Sequence, residues 1–115
     1  MIDARWDEVT GERITPMLGT LSKASFAENL NTRFRAVLQD STVIEMELIE
    51  VIDRRSTPRQ EQFSLLFRAP QDAPIQQGIY RLDHDRLDSG ELFLVPVSRD
   101  DNGVCYQAVF NRLID

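Results

Sequence analysis

Over most of the chain the hydrophobic and polar positions repeat with a period of two, the pattern of half-buried strands. Residues 33–38 alternate, with Phe34, Ala36 and Leu38 on one side. Gln39-Asp40-Ser41 reads as a turn. From residue 43 onward Ile44, Met46 and Leu48 share a face, and Glu45 and Glu47 take the other. Beyond Leu48 the apolar phase slips by one, to Ile49 and Val51, as one extra residue in a bulged strand would shift it. A charged loop is expected over 53–61, then a third strand over 62–68 with Phe63, Leu65 and Phe67 inward. Pro70 and Pro74 stop that strand. Residues 78–84 predict a fourth, with Tyr80 and Leu82 inward, followed by a polar turn through Asp85, Asp88, Ser89 and Gly90. Residues 91–97 are apolar at both alternations, which predicts a strand covered on both faces. Residues 98–103 read as a hairpin connection with Asn102-Gly103 at its centre, because Asn-Gly best tolerates positive φ at both central positions. Residues 104–111 close the set, with Tyr106, Ala108 and Phe110 inward.

Two segments depart from this period. Residues 22–30 predict one short helix, with Ser22 as N-cap, Phe26 and Leu30 four apart on one face, and Asn29 or Asn31 ending it in a left-handed conformation. A helix this short must cover something apolar to persist. Residues 1–20 follow neither period and are punctuated by Gly11, Pro16 and Gly19. They are expected to be a flexible or partner-dependent leader, with a short helical turn near 5–9. Trp6 would be an interface anchor or fold back onto its own domain. The connections are too short for parallel crossovers. The expected fold is therefore all-β with one short helix: a six-stranded antiparallel barrel or strongly curved sheet over 21–115, capped at one end by the helix.

Charge narrows the possible partners. The 115 residues carry 13 Lys+Arg and 19 Asp+Glu, a net charge of −6. The imbalance is even, 7 − 10 = −3 over residues 1–57 and 6 − 9 = −3 over 58–115. That balance disfavours a general nucleic-acid binder, which needs a basic face, and an anionic membrane surface. No run of about 18 apolar residues exists to span a bilayer. The start is acidic, unlike a signal peptide. The single cysteine cannot form an internal disulfide. A cytoplasmic location, or one inside an assembled particle, is the expectation.

The sharpest polar cluster is Asp83-His84-Asp85, with Asp88 and Glu91 close behind. One imidazole and several carboxylates suit iron, manganese or zinc. In a strand, however, Asp83 and Asp85 point away from His84, and the spacing does not make a calcium loop. His84 is the only imidazole, so any Ser–His or Cys–His pair would have to use it. Cys105 lies in a predicted strand and is expected to be a buried, inert thiol. Glu45 and Glu47 are near enough for a glycosidase-like carboxylate pair. Opposite Arg33 and Arg35, a cross-strand charge ladder is the simpler reading. No Gly-rich phosphate loop, CxxC pair or HExxH helix occurs. No enzyme, no cofactor and no catalytic, cofactor-binding or metal residue is expected.

The blocks 63–70 (FSLLFRAP), 77–84 (QGIYRLDH), 92–97 (LFLVPV) and 106–111 (YQAVFN) resemble a family of small uncharacterised bacterial domains. That family is often encoded near phage-tail-collar-like proteins, and the resemblance covers roughly residues 20–112. It implies a tail-associated or assembly role and transfers no catalytic residue. Three functions follow as expectations. The first is a non-catalytic binding or structural module that assembles with protein partners, including self-association through an edge strand. The second is a small-molecule-binding β-barrel lined by Phe34, Phe63, Phe67, Tyr80, Tyr106 and Phe110. The third is a metal-dependent enzyme using Asp83, His84 and Asp85.

Overall fold

The computed structural model describes residues 5–6, 13–14, 22–38, 40–87 and 89–113. A two-residue ladder pairs β1 (Arg5–Trp6) with β2 (Arg13–Ile14) antiparallel. The backbone of Arg5–Trp6 is thus extended where a helical turn was expected, and apart from these two short strands the leader, with the Trp6 side chain, lies outside the described residues. The domain proper begins with α1 (Lys23–Ala27). Six strands follow: β3 (Arg33–Val37), β4 (Val43–Asp53), β5 (Gln60–Ala69), β6 (Gly78–Asp83), β7 (Gly90–Asp100) and β8 (Gly103–Leu113).

These six strands close into a barrel in the order β3-β4-β5-β8-β7-β6, every pair antiparallel. Closure comes from β6 against β3, through Arg35 opposite Asp83, Ala36 opposite Leu82 and Val37 opposite Arg81. The barrel is built from two three-stranded meanders, β3-β4-β5 and β6-β7-β8, side by side. In each, the middle strand slips register against the third, at Leu48/Glu50 in β4 and at Pro96/Ser98 in β7. A bulge at these points bends a long strand, so that eleven residues can curve around a narrow barrel. The phase slip after Leu48 marks the first of these.

Alternation decides what fills the inside. Phe34, Met46, Leu48, Phe63, Leu65, Phe67, Leu82, Leu94 and Tyr106 are all essentially without exposure. Aromatic rings meet along the barrel axis. Phe63 stacks on Phe110 at 4.6 Å, Phe34 meets Phe67 edge-on at 5.2 Å, and Tyr80 meets Tyr106 at 5.8 Å. Helix α1 plugs the end where β3 begins. Its Phe26 is fully buried, with ring centroids 6.0 Å from Phe63 and 5.4 Å from Phe110. Ser22 caps the helix by accepting the Ser25 N–H at 3.1 Å. The helix stops after Ala27, shorter than expected, so Leu30 is 40% exposed rather than sharing the face of Phe26. Asn31, at φ 66°, makes the left-handed exit and donates its N–H to the Leu48 carbonyl at 2.7 Å.

At the opposite end the connection from β5 to β6 crosses the opening. The Tyr106 hydroxyl donates to the Pro74 carbonyl, and the Tyr80 hydroxyl donates to the Gln76 carbonyl. Burial raises both phenols, Tyr106 to about 12. The β7–β8 turn sits one residue earlier than expected. Asp100 faces Gly103 across the ladder, which puts Asp101 and Asn102 at the tip, and the Asp100 carboxylate accepts the Asn102 N–H at 2.8 Å. Gly103 is needed for another reason, its close approach to the Ala69 carbonyl at the end of β5.

Candidate functional site

The polar cluster around His84 is pulled apart by the fold. Asp83 ends β6 and lies 3.8 Å from the Arg81 guanidinium. Asp85 turns outward to Arg35 at 2.9 Å. His84 turns inward and is buried, with its ring 4.4 Å from Phe34. Its Nδ1 accepts the Arg86 N–H at 3.0 Å, which leaves the proton of the neutral ring on Nε2. Nε2–H then donates to Thr32 Oγ1 at 2.8 Å, and the Thr32 hydroxyl donates to the Asn29 carbonyl at 2.6 Å. The chain of bonds ties the exit of α1 to the β6–β7 connection, so both nitrogens serve structure. Among the described residues no group of three or more His, Cys, Asp or Glu side chains is placed to hold a metal.

Burial, with Arg86 and Arg35 adding and Asp85 opposing, holds the imidazole below its ordinary value of 6.5. The unfolded chain therefore binds the proton first. Stability from this site is full above about pH 6.5 and is lost as the pH falls from there through the folded-state value. Urea unfolding at pH 7.5 and at pH 5.0 should give the smaller unfolding free energy at pH 5.0. His84→Gln should flatten that difference, because Asp40 and Asp53, both lowered from 3.8, titrate in more acidic solution.

The carboxylates of β4 also go to neighbours. Register sets Arg33 opposite Glu47 and Arg35 opposite Glu45. The ion pair that forms is the diagonal Arg33–Glu45, at 3.3 Å and well exposed, while Arg35 leaves for Asp85. Exposed pairs of this kind contribute little to stability. Cys105 stands on the outward side of β8 opposite Arg68 and Ser98, half-buried rather than buried.

The unusual surface is apolar. β7 was expected to be covered on both faces, yet its outward side is open: Phe93 is 52% exposed and Val97 50%. Directly across β6, Ile79 opposes Phe93 and is 66% exposed, and on β8 Val109 is 63% exposed. The continuous apolar run of 91–97 is the sequence signal for this face, and the missing cover is what sequence cannot show. Covering the part of each such side chain still in solvent would yield roughly 1–2 kcal/mol. Exposed apolar side chains gathered on neighbouring strands are the kind of surface that marks a contact site.

Two clefts adjoin the face. One, of about 390 Å³, lies at the barrel end between the β3–β4 turn and the β5–β6 connection, lined by Val37, Leu38, Pro74, Gln77, Ile79 and Tyr80 among others. The other, of about 380 Å³, is a groove between β7 and β8 lined by Leu92, Phe93, Val95, Gln107, Val109 and Phe110 among others. The groove exists because the two strands part: they pair only from Val95 opposite Gln107 to the hairpin. Among the described residues, 90–94 of β7 pair only with β6, and 108–113 of β8 only with β5.

No curated protein and no solved structure shows significant similarity to the chain. A family model described as a domain of unknown function, DUF6916, matches residues 21–110, which spans α1 and nearly all of the barrel. The chain belongs to the DUF6916 family.

Proposed function

We propose that this barrel is a non-catalytic module that assembles with other protein chains through the outward side of β6, β7 and β8. The observation that carries the reading is the exposed strip of Ile79, Phe93, Val97 and Val109 on a barrel whose inside is already packed with aromatic rings. The polar candidates support it by the partners they already have: His84 bonds Thr32, Asp85 pairs with Arg35, Glu45 pairs with Arg33, and Asp83 lies beside Arg81 of its own strand. A small molecule inside the barrel would have to displace packed rings. Its finer form, an accessory of a phage-tail-like particle, rests on the resemblance of the strand-and-turn blocks. The unpaired Cys105 suits a reducing compartment.

A photo-crosslinking residue placed at Phe93 tests this in the producing cell, with the same residue at exposed Val43 on the first meander as control. The expected result is a discrete protein adduct from position 93 and none from position 43. Equal or absent crosslinking at the two positions would overturn the reading.

A further inference from the structure

Given that the outward face binds protein, we infer that its occupant is a second copy of this chain, docked about a twofold axis running parallel to the strands over the seam of β6 and β7. The argument begins with two adjacent rungs. Ile79 opposes Phe93, and two residues along the strands Arg81 opposes Glu91. All four side chains are exposed, and period two sets them on the same outward side. A twofold axis of this orientation keeps each rung at its own level and exchanges β6 with β7. Ile79 of one copy therefore meets Phe93 of the other, and Arg81 meets Glu91 of the other. An interface between identical surfaces must be complementary to itself, and a rung holding one cation and one anion satisfies that condition.

Charge permits self-contact at this face, and the apolar rung beside the charged one distinguishes it from the Arg33/Arg35–Glu45/Glu47 face of β3 and β4. The whole chain carries −6, so two copies repel over most of their surfaces. Arg81 and Glu91 offset one another beside an apolar centre, with Asp83 one step further out along β6. Within one copy, Arg81 Nε reaches Asp83 only at 3.8 Å, and Glu91 makes no ion pair among the described residues. Its carboxylate is free to face a second guanidinium. Aromatic and aliphatic residues at the centre with a charged rim are the anatomy of a specific contact. The two sheets would stack with their strands nearly aligned, the arrangement that sheet twist favours.

Sedimentation velocity over a micromolar concentration series, with circular dichroism to confirm folding, tests the inference on the full chain. A concentration-dependent dimer is expected. Phe93→Glu should weaken it about 100-fold, the scale of a central anchor residue. Arg81→Glu alone and Glu91→Arg alone should each weaken it, and the double swap of Arg81→Glu with Glu91→Arg should restore it. A buried hydrophobic contact without this geometry would not show that restoration. A monomer at all concentrations, or a dimer that tolerates Phe93→Glu, overturns the second copy as occupant. If that monomer still crosslinks to a different protein at position 93, the protein-binding reading stands and only its partner changes.

Discussion

Gly103→Ala is expected to be among the most destabilising single-methyl substitutions in this chain, costing at least about 3 kcal/mol in urea unfolding. Gly103 opens β8 at φ 128°, a conformation that side chains disfavour. A Cβ there would sit 2.0 Å from the carbonyl oxygen of Ala69 and 3.2 Å from its carbonyl carbon. Those atoms are backbone at the end of β5, paired across to Val104, so neither side can yield without breaking the β5–β8 ladder. Gly78→Ala is the control that separates strain from collision. Gly78 also has a positive φ, 159°, but a Cβ there meets nothing within 4 Å. Its cost should be about 1 kcal/mol. Equal costs at the two glycines would show that collision with Ala69 is not what fixes Gly103.

Phe34→Ala should cost about 3–5 kcal/mol, the range for removing a buried aromatic ring. Phe34 has no exposure and touches Phe67 edge-on on one side and His84 on the other. The cavity would open between the packed rings of Phe67 and His84, held by strand β4 on one side and the His84 hydrogen bonds on the other, where collapse is difficult. A second reading comes from His84. Burial is the first cause of its lowered pKa, so removal of the covering ring should move the imidazole back toward 6.5. An NMR titration of the imidazole in wild type and variant measures this. A variant with the full stability loss and an unmoved imidazole would show that Phe34 does not supply that burial.

Most of the barrel is legible in the chain because each strand advertises itself locally. Phe63, Leu65 and Phe67 face inward because alternate side chains must, and the same holds for Tyr106, Ala108 and Phe110. The slip from Leu48 to Ile49 is visible because a bulge has to invert the apolar phase. Ser22 and Asn31 are legible because capping and left-handed exits have their own side-chain preferences. The likeness of the two meanders leaves no repeat in the sequence, since it requires only strand period and a bulged middle strand, with no identity of side chains. Helix length and the tip of the β7–β8 turn were misplaced by residues at the ends, where local preferences are weakest.

The candidate site was legible in composition and illegible in placement. The apolar run at 91–97 was plain, but a strand with two apolar faces looks the same in sequence whether its outer face is covered or bare. Only closure of the barrel, with β7 between β6 and β8 and no element laid over it among the described residues, left Phe93 beside Ile79 in solvent. Likewise Asp83, His84 and Asp85 are consecutive in the chain, and only the packing of α1 and β3 sends the imidazole to Thr32 and a carboxylate to Arg35. The sequence alone therefore determined the period, the strands, the cap and the even acidic charge, because each depends on neighbours within a few residues. Tertiary structure decided which apolar face stayed open and which polar groups were already engaged, because both depend on strands brought together across the whole length of the chain.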